Sequence, residues 1–143
     1  MDLVRLDDEG CLYLSPDIDN WGLVTSSGIT AIIDLDSGID EGVPTASNTV
    51  LYLYFPFNDF ELPDLDRLHA VCQLGATLVK QKHKVLSHCG VGFNRSALVA
   101  GLILRYLGMK GPDTVAYLRE RRPGALYNKI YADYLTNCQV KPL

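Results

Sequence analysis

Two rhythms of apolar residues run along this 143-residue chain. Residues 29–35 are aliphatic and β-branched almost without interruption, the signature of a strand buried on both faces. Residues 49–55 carry the strongest strand signal of the chain. Residues 4–6 and 11–14 read as short strands joined by a turn at Asp8-Glu9-Gly10, and Val85-Leu86-Ser87 reads as another. The second rhythm is helical. Leu65, Leu68, Val71, Cys72, Leu74, Leu78 and Val79 recur at helix spacing, which predicts a helix over residues 64–81 started by Pro63 or Asp64. Ser15-Pro16-Asp17 offers start chemistry for a short helix over residues 19–25 that ends near Gly28. Residues 96–107 are apolar on nearly every side, as a central buried helix requires, and Gly108 is placed to cap it. Helices are also predicted over residues 112–121 and 128–138, separated by a Pro123-Gly124 turn. The last of these carries Ile130, Tyr131, Tyr134 and Leu135 on one face. Residues 36–47 and 58–63 are loops. Strands alternate with helices, and helices gather at the end. The fold class expected is therefore α/β, a small, mainly parallel central sheet flanked by helices, in one domain over residues 1–143.

Composition narrows the choice of function. Apolar residues make up 48% of the chain, enough for a substantial core, and the net charge is −4. With a pI near 5.2 and no basic run denser than Arg119, Arg121 and Arg122, neither a nucleic acid nor an anionic membrane is an expected partner. No apolar stretch approaches the ~20 residues of a membrane span, and the first residues lack a signal-peptide core. The expectation is a soluble, cytoplasmic protein. Cys11, Cys72, Cys89 and Cys138 are widely spaced, with no Cys-x-x-Cys pair and no zinc-like His partners. No metal and no cofactor is therefore expected. Cys11, Cys72 and Cys138 lie in apolar patterns and read as small buried residues, although one could resolve an oxidised Cys89.

Cys89 stands apart. In His88-Cys89-Gly90-Val91-Gly92-Phe93-Asn94-Arg95-Ser96 a cysteine and an arginine flank five residues, two of them glycine. An apolar strand leads in and a helix leads out. Such a loop can turn its N–H groups of residues 90–95 around a tetrahedral dianion, with the helix N-terminus behind it. Gly90 and Gly92 permit backbone angles and close approach that side chains would obstruct, and the planar fork of Arg95 matches two phosphate oxygens. Cys89 lies at the floor as nucleophile, its thiolate favoured by the same N–H groups, the helix and Arg95. The Ser96 hydroxyl can donate to the sulfur when the thiolate leaves, or cap the helix, or both. His88 alternates to the opposite side of the strand and reads as a buried histidine bonded to backbone rather than a base.

A leaving oxygen needs a proton from the same sheet edge. Asp59 follows strand 49–55, and the helix over residues 64–81 runs back about 27 Å at 1.5 Å per residue. Strand 85–87 then climbs to the same edge through a right-handed crossover. Asp59 and Cys89 thus share the crevice where open α/β sheets bind ligands. Glu61 and Asp64 are rivals for the acid, but Asp64 is better used as a helix cap and Glu61 as a solvated side chain. The chemistry expected is phosphate monoester hydrolysis through a phosphocysteine, with Asp59 as acid and then base. A phosphopeptide-binding module and a sulfurtransferase could share the cradle.

These motifs resemble the cysteine-dependent protein tyrosine phosphatase superfamily, specifically its small dual-specificity branch. His88-Cys89, five residues, then Arg95-Ser96 matches that signature at each defining position. Tyr54-Phe55-Pro56-Phe57-Asn58-Asp59-Phe60-Glu61-Leu62-Pro63 looks like the general-acid loop, and Leu12-Tyr13-Leu14-Ser15 like the early strand. Arg121-Arg122-Pro123-Gly124-Ala125-Leu126-Tyr127-Asn128 looks like the late segment whose asparagine supports the loop, which makes Asn128 a supporting residue. The resemblance implies phosphate binding by residues 89–95. It also implies a site shallow enough for phosphoserine, phosphothreonine, phosphotyrosine or small aryl phosphates. Val91, Phe93 and Asn94 stand where lipid phosphatases often carry lysines, which disfavours phosphoinositides. Glycan and nucleotide phosphatases share the quoted residues.

Overall fold

The computed structural model, which describes residues 1–143, realises the two rhythms as five strands and five helices. In chain order these are β1 (Val4–Arg5), β2 (Leu12–Ser15), α1 (Trp21–Ser26), β3 (Ile29–Asp34) and β4 (Leu51–Tyr54). They are followed by α2 (Leu65–Lys80), β5 (Lys84–His88), α3 (Arg95–Tyr106), α4 (Gly111–Arg121) and α5 (Lys129–Asn137). The strands form one sheet in the order β1-β2-β5-β3-β4. β2, β5, β3 and β4 are parallel, and only β1 is antiparallel to its neighbour. The C-terminal ends of β3, β4 and β5 therefore lie at one edge, and the loops that leave them meet there.

Side chains alternate across each strand, and this alternation divides the core. Leu12, Leu14, Ala31, Ile33, Val85 and Cys89 enter the large cluster shared with α2, α3, α4 and α5. Tyr13, Ile32 and Leu86 enter a smaller one beneath α1, with Val24 and Trp21. α3 is the central helix, with ten of its residues from Ser96 to Tyr106 buried. That explains why its sequence is apolar nearly all round. Gly108 follows it at φ +109°.

Three expectations are corrected. The short helix begins at Trp21 with Asn20 accepting from the Leu23 N–H, not at Ser15-Pro16-Asp17; Ser15 is instead the last residue of β2. The segment with the strongest strand signal, residues 49–55, supplies only the four-residue outer strand β4. As an edge strand it leaves Leu51 and Tyr54 exposed. On α5, Ile130 is 49% exposed, and Ala132 joins Tyr131 and Leu135 as the buried set. The cap reading holds at α2, where the Asp64 carboxylate accepts from the Arg67 N–H at 3.2 Å, an arrangement worth about 1 kcal/mol.

α4 packs tightly against α5 at Gly111. A Cβ on Gly111 would sit 2.1 Å from the Thr136 carbonyl oxygen, an obstruction made of backbone that cannot rotate away. Gly111→Ala is expected to lose about 2–4 kcal/mol of stability, since the two helices must separate to admit the methyl group. Urea unfolding followed by far-UV circular dichroism measures this.

Candidate active site

At the shared edge of β3, β4 and β5 lies a cleft of about 660 Å³, lined by Asp36, Phe57, Asp59, Glu61, Gly90 and Arg95 among others. The loop between β5 and α3 contributes Gly90 and Val91 to it, beside Arg95. Cys89 directly follows β5 at 1% exposure, its backbone N–H bonded to the Ser15 carbonyl at 3.3 Å. The N–H groups of Gly90, Val91, Gly92, Phe93 and Asn94 donate to no other atom of the protein. The carbonyls of the same loop are bonded outward. Arg122 donates to the Gly92 carbonyl at 3.1 Å and the Val91 carbonyl at 3.3 Å. The Phe93 and Asn94 carbonyls accept from the Leu126 and Leu98 N–H groups at 2.9 and 2.8 Å. With every one of these carbonyls held on the outside, the loop presents a row of unbonded donors, the arrangement that binds anions. Gly92 makes the turn possible. Its φ is +73°, and a Cβ there would lie 2.7 Å from the Pro16 nitrogen.

The Cys89 Sγ lies 3.3 Å from the Ser96 Oγ. Ser96 is fully buried in the first turn of α3, and it is not the helix cap. Asn94 holds that position, and no side chain makes the capping bond there. The Cys89 thiol donates to the Ser96 hydroxyl oxygen.

Arg95 reaches across the cleft. Its Nη1 donates to the Phe57 carbonyl at 3.0 Å, the Leu35 carbonyl at 3.2 Å and the Asp36 carboxylate at 3.3 Å. Its Nε is buried without a partner. One edge of the guanidinium is therefore anchored to the loops after β3 and β4, while the Nε edge remains free for a planar ligand.

Asp59 stands opposite, and two asparagines hold it. Asn94 Nδ2 donates to Asp59 Oδ2 at 3.1 Å, and Asn128 Nδ2 donates to the Asp59 carbonyl at 2.6 Å. Asn128 also gives its backbone N–H to Asn94 Oδ1 at 3.0 Å while its own Oδ1 caps α5. The Tyr131 hydroxyl donates into the Asn58 and Glu61 carbonyls at 2.8 and 2.9 Å, fixing the same loop. Asp59 Oδ1 is buried and unpartnered. Of the rivals, Glu61 is exposed and Asp64 is the α2 cap. Asn94 and Phe93 do not turn their side chains to the cradle. Asn94 bonds Asp59, and the Phe93 ring lies beneath the Arg122 guanidinium at 4.1 Å, so only their backbones face an anion.

His88 departs from the expected backbone bonding. Alternation along β5 sends it to the α1 side, where Nε2 meets Asp40 Oδ2 at 2.6 Å and Asp34 Oδ1 at 3.5 Å. The Tyr52 hydroxyl bonds Asp34 Oδ2 and accepts from the Asp40 N–H at 2.8 Å. Burial raises the Asp34 carboxyl above the ordinary carboxylate range, and burial raises the Tyr52 phenol as well. Asp34, Asp40 and His88 bring ligand atoms within 4.8 Å of one another, a grouping invisible in their spacing. The oxygens and nitrogen involved already serve one another and Tyr52 as hydrogen-bond partners. Sequence reading missed Asp34, Asp36, Asp40 and Arg122. Arg122 was within the quoted late segment, but nothing in its spacing shows that it holds carbonyls of the cysteine loop. All four cysteines are free thiols.

Residues 12–141 match the family described as dual specificity phosphatase, catalytic domain. The protein tyrosine phosphatase type IVA 2 of Mus musculus and that of Rattus norvegicus are each 26% identical over 108 residues. The match covers 71% of this chain and 62% of the relatives. Among solved structures, human DUSP28 superposes with a TM-score of 0.77 at 23% identity, covering 93% of this chain and 89% of that one. Tk-PTP in its active form superposes at 0.74 with 24% identity, covering 93% and 92%. The human tyrosine phosphatase-like serine/threonine/tyrosine-interacting protein gives the same four values.

One carboxylate beside Asp36 is shifted upward. Burial, and then the neighbouring Asp36 carboxyl, raise Asp17 above the ordinary range. A raised carboxyl favours the folded state while protonated. That contribution is complete below the ordinary value near pH ~3.9 and is lost as pH rises through the raised one. Asp17→Asn is expected to melt higher than the parent at pH 7, with the two melting temperatures converging below about pH 4. Thermal denaturation across that pH range measures the difference.

Proposed function

Because the chain belongs to the dual specificity phosphatase family, we propose that it is a single catalytic domain hydrolysing phosphate monoesters through a phosphocysteine. Its substrates are phosphorylated proteins or small aryl phosphates. The observation that carries this reading is a pair of orphaned polar atoms. Asp59 Oδ1 and Arg95 Nε are both buried without a partner, and both belong to residues lining one cleft. Buried polar atoms are almost always bonded, so a carboxyl oxygen, which donates when protonated, and an N–H left open around a row of free N–H groups call for a ligand that uses all of them. A phosphate ester does. Its equatorial oxygens take the N–H groups and Arg95, and its bridging oxygen takes a proton from Asp59.

In the first step the Cys89 thiolate forms a bond to phosphorus, the P–O bond to the alcohol or phenol breaks, and Asp59 delivers its proton to the leaving oxygen. In the second, Asp59 accepts a proton from water as the water oxygen bonds to phosphorus. The P–S bond then breaks, and inorganic phosphate departs. The Ser96 hydroxyl, 3.3 Å from the sulfur, donates to the departing thiolate. The loop N–H groups and Arg95 bind the equatorial oxygens most strongly when charge has built up on them. Asn94 and Asn128 hold Asp59 in register with the cradle. The nucleophile must stay a thiol, which suits a reducing compartment such as the cytoplasm.

Purified, reduced protein is expected to release p-nitrophenol from p-nitrophenyl phosphate. Cys89→Ser is expected to lose at least about 10³-fold in kcat while still binding phosphate, and a variant near the parental rate would refute the nucleophile. Arg95→Lys is expected to be comparably severe despite the retained charge, because the planar fork is lost.

Asp59→Ala is expected to cost about 10²-fold or more on alkyl phosphates and markedly less on aryl phosphates with acidic leaving groups. A plot of log kcat against leaving-group pKa measures this; equal losses on all esters would remove Asp59 from the acid role.

A further inference from the structure

Beyond the phosphate itself, the walls of the cleft are negative and its rim is apolar. Arg95 is the one cation among the lining residues, whereas Asp36, Asp59 and Glu61 all line it. Asp36 keeps 30% of its side chain exposed beside Arg95, Asp17 lies against it, and Glu61 is exposed. The basic residues nearby are already engaged. Arg122 is bonded to the loop carbonyls and to Asp2 at 3.4 Å, and Lys129 to Asp133 at 2.7 Å. Above this wall stand Phe60 at 86% exposure, Tyr127 at 67% and Val91 at 51%. Phe60 directly follows Asp59 and directly precedes Glu61. Large apolar side chains gathered at the mouth of a site mark a contact surface, and one that alternates with carboxylates specifies its ligand by charge as well.

We propose, on the premise of the phosphatase reading above, that the site selects phosphorylated peptides whose residues next to the phosphorylated side chain are basic and apolar. Peptides with acidic neighbours are turned away. The single phosphate takes Arg95 and the loop amides, a basic neighbour meets Glu61 and Asp36, and an apolar neighbour lies on Phe60 and Tyr127. Esters carrying further phosphates place their second charge against the same carboxylates and have no free cation to receive it.

The test uses phosphopeptides in two parallel series, one with phosphotyrosine and one with phosphothreonine. Within each series only the flanks change: Lys and Leu, Gly and Ser, or Glu and Leu. The values of kcat/KM are expected to fall in that order. The first is expected to exceed the last by about tenfold or more at low ionic strength, and the gap is expected to narrow as salt is added. Glu61→Lys is expected to collapse or invert the ratio, and Phe60→Ser to bring the Lys and Leu peptide toward the Gly and Ser one. Each is read as a ratio within one preparation, so a general loss of activity cancels. A parental ratio of one or less overturns the inference, as does a ratio unchanged by Glu61→Lys. It is likewise overturned by failure to hydrolyse either peptide series, or by faster turnover of phosphoinositide in phosphatidylcholine vesicles. p-Nitrophenyl phosphate separates the two levels. If it is hydrolysed while the flanks do not matter, the phosphatase reading stands and the selectivity falls; if it is not hydrolysed, both fall.

Discussion

A backbone loop can bind an anion only if its N–H groups are left unbonded, and it can stay folded only if its carbonyls are not. The segment from Cys89 to Arg95 meets both conditions by bonding every carbonyl from Val91 to Asn94 on its outer side, to Arg122, Leu126 and Leu98. Two of those partners lie near the junction of α4 and α5, about 30 residues further along the chain. The late part of the fold is therefore what turns the loop inward. The Gly92 φ of +73° against the backbone of β2 completes the turn. This is why α4 and α5 matter to a cleft they do not line.

The same segment couples the Cys89 loop to Asp59. Asn94, one residue before Arg95, bonds the Asp59 carboxylate with its amide nitrogen and the Asn128 N–H with its amide oxygen. Asn128 bonds back to the Asp59 carbonyl. Three loops that leave three different elements are thus joined by two asparagine side chains, each using donor and acceptor at once. Arg95 adds a fourth loop through Leu35 and Asp36. A cradle assembled this way cannot shift Asn94, Arg95 or Asp59 without shifting the others.

Burying carboxylates has a cost. Burial is the first cause of the raised Asp17 and Asp34 carboxyls, with Asp36 adding to the rise at Asp17 and Asp40 to that at Asp34. His88 and Tyr52 offset part of it by bonding Asp34 and Asp40. Stability given up near a site is commonly retained because the site uses it. Here Asp36, Asp59 and Glu61 line the cleft beside Arg95.

Local pattern was enough to identify the strands, the long helix with its Asp64 cap, and the Cys89–Arg95 loop, because each is written within a few consecutive residues. Asp59 was reachable one step further, since parallel strands bring their C-terminal loops to one edge. The family likeness of the late segment pointed to Asn128. What only the tertiary structure decided are relations between distant residues. These include the edge position of β4, the carboxylate partners of His88, the use of Ser96 on the sulfur instead of a helix cap, and the pairing of Arg95 with Asp36. Charge spacing along a chain carries no information about which side chains meet across a sheet. Those meetings are set by strand order and by which face each residue takes, and both emerge only when the whole core packs.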